Sequence, residues 1–312
     1  MVALGFIVLM ALVALVGPHV VAKDPNRTSV ANANAGPSRE FWLGTDDLGR
    51  DQLARLVHAT RLSMRTGLQA IVLAVAVAIP LGVIAGYFRR WPDAVLMRVA
   101  DGIGAFPPIL LALAIAAMLG PGSTNLSLAV AVVFLPGMMR LSRGQVLAVR
   151  EEVYVEASRS IGSPHRRIIL SHVLPNVAPA VIVQIAVSFG FVLITESGLS
   201  YLGLGDPLPA ASWGSMLQQG FAAYGQGFSA RLVILPALAI TLTVLAFQLF
   251  ADGLRDALGR EAVRVPRRAR RFQLDRPQRV SRTCDAERSD AVLEVQHLAV
   301  ELATPRGWVR VV

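Results

Sequence analysis

The amino-acid sequence predicts an all-α membrane protein with six transmembrane helices, and three observations carry that expectation. Hydrophobic residues make up 54% of the 312-residue chain and charged residues only 16%, with a mean hydropathy of +0.54. Such a composition excludes a disordered chain and an ordinary soluble domain. Several charge-free windows reach the roughly 20 apolar residues that a helix needs to cross a hydrocarbon core about 30 Å thick. Arginines concentrate in alternate loops, the pattern that retention of positive charge on the cytoplasmic side produces.

The first span runs from Met1 to about Val21. It has no positive residue before the apolar stretch and exceeds the usual signal core, so an uncleaved span is expected, with a short basic leader missing from this start. Span two covers about Thr66 to Phe88, where Pro80 and Gly82 are tolerated if neighbouring helices satisfy the backbone. From Gly102 to Met139 there is no Asp, Glu, Lys or Arg. That stretch is too long for one crossing, and Gly120-Pro121-Gly122-Ser123 interrupts it with turn residues, which predicts a tight hairpin of spans three and four. Span five is about Ala178 to Thr195, closed by Glu196, and span six about Leu232 to Ala251.

With the N-terminus inside, the cytoplasmic segments are 89–105 with three arginines, 140–177 with six, and the tail after Ala251 with thirteen. The segment from Ala22 to Arg65 runs against this rule: it holds Lys23 and six arginines, partly offset by Asp24, Glu40, Asp46, Asp47 and Asp51. Inverting the topology would expose the central loop and the tail, a larger violation. Within the segment, Arg50 to Arg65 reads as an amphipathic helix lying along the membrane, and Trp213, in the loop before span six, as an interfacial anchor.

The net charge of +9 is read as cytoplasmic retention and contact with anionic lipid, not nucleic-acid binding, because aromatic residues are not interleaved with the basic ones. Cys284 is the only cysteine and the five histidines have no metal-binding spacing, so no disulfide framework or metal site is expected. No nucleophile and base arrangement stands out, so no catalytic residue is assigned. The spans are nearly free of ionisable groups, unlike those of a secondary carrier or channel that binds ions within the membrane. Such an ATPase-independent carrier is the runner-up reading.

The loop 140–177 carries the most specific chemistry. Glu151 to Ser160 reads as a helix stopped by Gly162, and Ser163-Pro164 as the N-cap and first residue of a second short helix that Pro175 ends. The result is a stiff bend held at both ends by membrane helices. This loop resembles the conserved loop of ABC importer permeases, E-A-A, three residues, G, nine residues, I-x-L-P. Glu156, Ala157, Gly162, Leu174 and Pro175 match, Ser158 replaces the second Ala, and His172 takes the Ile position. The run His172 to Asn176 is similar to the peptide and nickel branch of that family. Leu43-Gly44-Thr45-Asp46, Leu48-Gly49-Arg50-Asp51, Arg61-Leu62-Ser63, Gly198-Leu199-Ser200, Leu202-Gly203-Leu204-Gly205, Ser212-Trp213-Gly214 and Asp252 to Asp256 resemble segments of DppC/OppC-type permeases in the same order.

The resemblance implies a type I ABC importer permease (MetI-like) fold and a subunit that lines the pathway for dipeptides, oligopeptides or related small solutes, with nickel complexes as an alternative cargo. It implies that Glu156, Ala157, Ser158, Gly162, His172, Leu174 and Pro175 form the surface that docks on an ATPase. The partners it implies are a second homologous permease, two ABC ATPase subunits that hold ATP and Mg, and an extracellular solute-binding protein. The implied location is the bacterial plasma (inner) membrane, with both termini cytoplasmic.

These readings divide the chain into a first helix and extracellular segment (1–65), a permease core (66–258), a basic linker (259–291) and a C-terminal fragment (292–312). In the fragment, Leu293, Val295, Leu298, Val300 and Leu302 alternate with polar residues as in a strand. It resembles the start of an ABC ATPase domain, expected to be either a fusion cut short or a frameshifted gene boundary. The only lysine is Lys23, so the chain carries no phosphate-binding G-x-x-x-x-G-K loop of its own.

Overall fold

The computed structural model describes residues 2–21, 23–227, 229–259, 301–304 and 307–310. Ten α-helices are described: α1 (Val2–Val20), α2 (Gln52–Phe88), α3 (Arg90–Gly104), α4 (Pro108–Leu119), α5 (Ser123–Arg150), α6 (Val153–Ser160), α7 (His165–Ile168), α8 (Leu174–Tyr201), α9 (Trp213–Gly225) and α10 (Arg231–Gly259). Five helical stretches are long and apolar enough to span a membrane, and the bent pair α3 and α4 raises the number to six if it counts as one span.

That pair corrects the expected hairpin. Its turn falls at Gly120 and Gly122, both at positive φ, but α4 has only 12 residues, about 18 Å of helix against a core of roughly 30 Å. The chain bends by 89° between α3 and α4, so the third apolar stretch is a broken span or a re-entrant element and not a straight helix. Pro107 and Pro108, at the start of α4, explain the break: the residue before a proline is pushed out of helical conformation.

α2 is also longer than its apolar run. Its 37 residues extend about 55 Å at the helical rise, more than a hydrocarbon core needs. Within the stretch Arg50 to Arg65, the residues from Gln52 onward are therefore the first four turns of this helix, not a separate helix along the membrane. Asp51 caps it, its carboxylate accepting from the backbone N–H groups of Leu53 at 2.9 Å and Ala54 at 3.2 Å.

α2 and α5 make the most extensive helix pair, at the centre of the bundle. The reason is a row of small residues four apart on α2: Ala70, Ala74, Ala78, Gly82 and Gly86, all buried. A Cβ on Gly82 would collide with Ser142 Oγ and lie 2.7 Å from Met139 O; one on Gly86 would lie 2.8 Å from Arg143 O. Absence of side chains lets the two backbones approach closely, the means by which helices associate in lipid. The main apolar core gathers Ala70, Ala74 and Ala78 of this row with Leu126, Val130 and Met138 of α5, Val192 and Leu193 of α8, and Trp213.

Trp213 is fully buried and is not an interfacial anchor. Its backbone N–H donates to Ser63 Oγ at 3.1 Å and its indole N–H to Thr60 Oγ1 at 3.2 Å, which pins α9 to α2. A second unit, 259–312, is described at the end of α10 and in an antiparallel hairpin, β1 (Glu301–Thr304) with β2 (Gly307–Arg310). The rest of the expected basic linker and ATPase-like fragment, Cys284 included, lies outside the described residues.

Candidate functional site

The loop between α5 and α8 folds as a braced elbow. α6 begins when Glu152 O accepts the N–H groups of Val155 at 3.0 Å and Glu156 at 3.2 Å. Glu156 in its first turn and Arg159 in its last each sit where the helix dipole favours their charge. Gly162 then turns the chain at φ +79. Its N–H donates to Arg159 O at 3.0 Å while Ser163 N–H donates to Ser158 O at 3.2 Å, the paired closing bonds of a Schellman motif. A Cβ at Gly162 would meet nothing within 4 Å, so backbone conformation alone calls for glycine here.

The second half departs from expectation in two ways. α7 starts at His165 with Pro164 as its N-cap, and Ser163 makes no capping bond there. Pro175 does not end this helix. A π-helical turn, Ile169–Val173, follows α7, and the helix continues through Pro175, in the first turn of α8, to Tyr201. The wide turn re-phases the backbone ahead of a proline that cannot donate in the ladder.

The elbow has a small core of its own. Val155 of α6, Ile168 of α7 and Val173 of the π turn are fully buried and pack with Val146 of α5, Val83 and Tyr87 of α2, and Val177 and Val181 of α8. Ser158 is buried too, which accounts for a small residue at that position. Glu156, Ala157, Gly162 and Pro175 are exposed, whereas His172 and Leu174 are half-buried. Thus the expected site residues divide into an outward set on α6 and its turn, and a second set at the root of α8. The two halves touch where the Tyr154 ring meets the His172 ring at 6.1 Å between centroids. Partial burial, with the Glu152 carboxylate adding to it, holds the Tyr154 phenol above its ordinary pKa.

Sequence reasoning missed the exposed apolar members of this surface, Val153 at 79% and Ile161 at 83% exposure. Their signal was an apolar residue on each side of the E-A-S run. Basic side chains frame the elbow and tie it to the bundle: Arg150 donates to Tyr87 O at 2.6 Å, Arg143 holds Asp93 through two bonds at 2.5 and 2.7 Å, and Arg89 pairs with Glu151 at 3.1 Å. Among the described residues no cluster of three His, Cys, Asp or Glu is arranged to hold a metal ion.

At the other end of α2 a buried ionic network closes the molecule. Asp46 accepts from Arg50 Nε at 2.7 Å and lies 3.5 Å from Arg55 Nε, and Gln219 Oε1 of α9 accepts from both arginines at 2.8 and 3.1 Å. Lys23 pairs with Asp51 at 2.9 Å. With Asp47 3.8 Å from Arg50 as a third acid, these pairs explain how a segment rich in basic residues can lie opposite the arginine-lined elbow: three of its cations face three carboxylates within it.

Comparison with known proteins fits this architecture. Residues 78–264 match the family described as "Binding-protein-dependent transport system inner membrane component". The chain is 39% identical over 254 residues to the glutathione transport system permease protein GsiD of Pectobacterium atrosepticum, covering 81% of this chain and 84% of that one. It is 40% identical over 247 residues to the dipeptide transport system permease protein DppC of Alkalihalophilus pseudofirmus, covering 79% and 81%. Among solved structures, the inward-facing MetNI methionine ABC transporter aligns with a TM-score of 0.52 at 15% identity, over 65% of this chain and 96% of that one. The fold is thus that of the MetI-type permeases, and the chain belongs to the inner-membrane permease components of binding-protein-dependent transport systems, which work with a substrate-binding protein and an ATPase.

Proposed function

We propose that this permease carries dipeptides, short oligopeptides or glutathione-like peptides inward, and that the elbow is where ATP-driven motion enters it. The observation that carries the proposal is the braced elbow itself: a mini-core holds α6 and α7 rigid while Glu156, Ala157, Val153 and Ile161 face outward from the arginine-rich end of the bundle. A rigid, partly apolar projection at that end is what a soluble motor can grip. Similarity to a glutathione and a dipeptide permease over about four-fifths of the chain supports the peptide class. Nothing in the described residues favours a nickel complex, and family membership removes the ATPase-independent carrier.

In this reading a second homologous permease completes the pathway, two ATPase subunits bind ATP and Mg, and an outer solute-binding protein delivers the cargo. Both termini and the elbow lie on the cytoplasmic side, because arginines line that end. Glu156, Ala157, Ser158, Gly162, His172, Leu174 and Pro175 form and shape the docking surface; none does covalent chemistry. The C-terminal hairpin is taken as the opening of an ATPase-like segment, on its resemblance alone.

The test is uptake of labelled dipeptide and glutathione into vesicles holding the complete transporter. Native protein should accumulate label only with ATP and the binding protein. Gly162→Val should reduce uptake, since a β-branched residue at φ +79 strains the backbone by about 1–2 kcal/mol. Full uptake by both Gly162→Val and Glu156→Arg would sink the elbow's role.

A further inference from the structure

We propose that Tyr87 and His165 form the joint through which displacement of the elbow reaches α2. This rests on the elbow being the entry point for ATP-driven motion, and it names the residue pair that passes the motion on.

The elbow is covalently continuous with α5 and α8, but α2, the central helix, is joined to it only by non-covalent contacts. The route through α8 is compliant, because the π turn Ile169–Val173 stands between α7 and the membrane-spanning part. Such a turn has a widened hydrogen-bond pattern and interrupts the regular ladder. A sideways contact that bypasses this turn carries a push more directly.

Tyr87 makes that contact. It lies in the last turn of α2 and is 3% exposed. A buried phenol needs a partner for its hydroxyl, and Tyr87 Oη finds it in His165 Nδ1 at 2.9 Å, across the Gly162 bend at the start of α7. The His165 ring also packs edge-on against Tyr87 at 5.6 Å and Phe88 at 5.9 Å between centroids. Arg159 of α6 and Arg150 of α5 stand over the Tyr87 ring at 5.8 and 6.0 Å, within cation–π range, and Arg150 also donates to the Tyr87 carbonyl. One side chain of α2 is therefore held by α5, α6 and α7 together. Val83, one turn earlier, adds apolar packing in the same core but no polar or directional link.

The experiment uses the complete reconstituted transporter and reads peptide taken up per ATP hydrolysed. Tyr87→Phe keeps the ring and removes the hydroxyl; His165→Leu removes the other partner; His165→Asn keeps a polar atom near the Nδ1 position. Tyr87→Phe and His165→Leu should each lower uptake per ATP by about fivefold, and the double variant should be no worse than either, as for residues that act through one contact. His165→Asn should recover most of the ratio. A purely structural role would lower assembly and ATP hydrolysis together and leave the ratio alone. An unchanged ratio in both single variants, or independent effects that multiply, would overturn the joint. If Tyr87→Phe does not assemble, His165→Leu against His165→Asn decides alone, because the His165 side chain is exposed and its replacement is tolerated by the core. Should Glu156→Arg and Gly162→Val abolish uptake while these variants do not change the ratio, the elbow stands and only the joint falls. Should Glu156→Arg and Gly162→Val leave uptake intact, the elbow itself fails.

Discussion

Asp46 shows how one side chain can decide the end of the molecule opposite the elbow. Its carboxylate accepts from the N–H groups of Leu48 at 3.0 Å and Arg50 at 2.8 Å, and pairs with Arg50 and Arg55, which are 4% and 1% exposed. Removing one partner of a buried ion pair costs about 3–5 kcal/mol, because the remaining charge is left without compensation. Asp46→Ala should accordingly lower the unfolding temperature in detergent far more than Asp24→Ala, an exposed acid of the same segment. Equal shifts for the two variants would show that the network contributes little. The acids here were legible as an offset to the arginines, but their pairing was not. Gln219 lies more than 160 positions away from both arginines, and nothing in the local pattern announces it. Trp213 was misread for a similar reason: an aromatic residue beside a span suggests an interface, and only the distant hydroxyls of Thr60 and Ser63 explain why it is buried.

At the scale of elements, the α2 and α5 pair sets the geometry of the bundle. Gly82→Leu or Gly86→Leu should separate the two helices, since each added side chain meets backbone of α5 as well as its side chains. Overpacking of this kind costs about 1–3 kcal/mol, and the check is the yield and thermal stability of the monodisperse protein. Gly102→Leu, with open space around its Cβ position, is the matched control and should be near neutral. Apolar run length located most of the spans, because hydrophobicity is a local property. Where helices begin was less legible: α2 starts at Gln52, not near Thr66, because its first turns are stabilised by a cap and by buried pairs instead of by lipid. The short helix α4 and the π turn before Pro175 were hidden for a related reason. A proline marks a break but does not tell whether the chain bends, as at Pro107, or adjusts its pitch and runs on, as at Pro175.

For the whole molecule, the arrangement predicts a sidedness that chemistry can read. With Cys284 replaced by Ser, a cysteine at Arg39, exposed opposite the elbow, should react with a membrane-impermeant maleimide in intact cells. One at Glu156, exposed on the elbow, should react only after permeabilisation. The opposite pattern would invert the topology and remove the elbow from the motor's side. Fold and family were legible because the turn motifs recur in order along the chain. What it carries was not, since no side-chain cluster in the spans declares a cargo. The helices also differ in how much each is held by protein. In α1 only Ala14 is buried, and Gly17 lies close against Val57 of α2. Its outward positions ask only for oiliness, so α1 behaves as a mooring line, held to the bundle along one edge and otherwise steadied by the lipid around it.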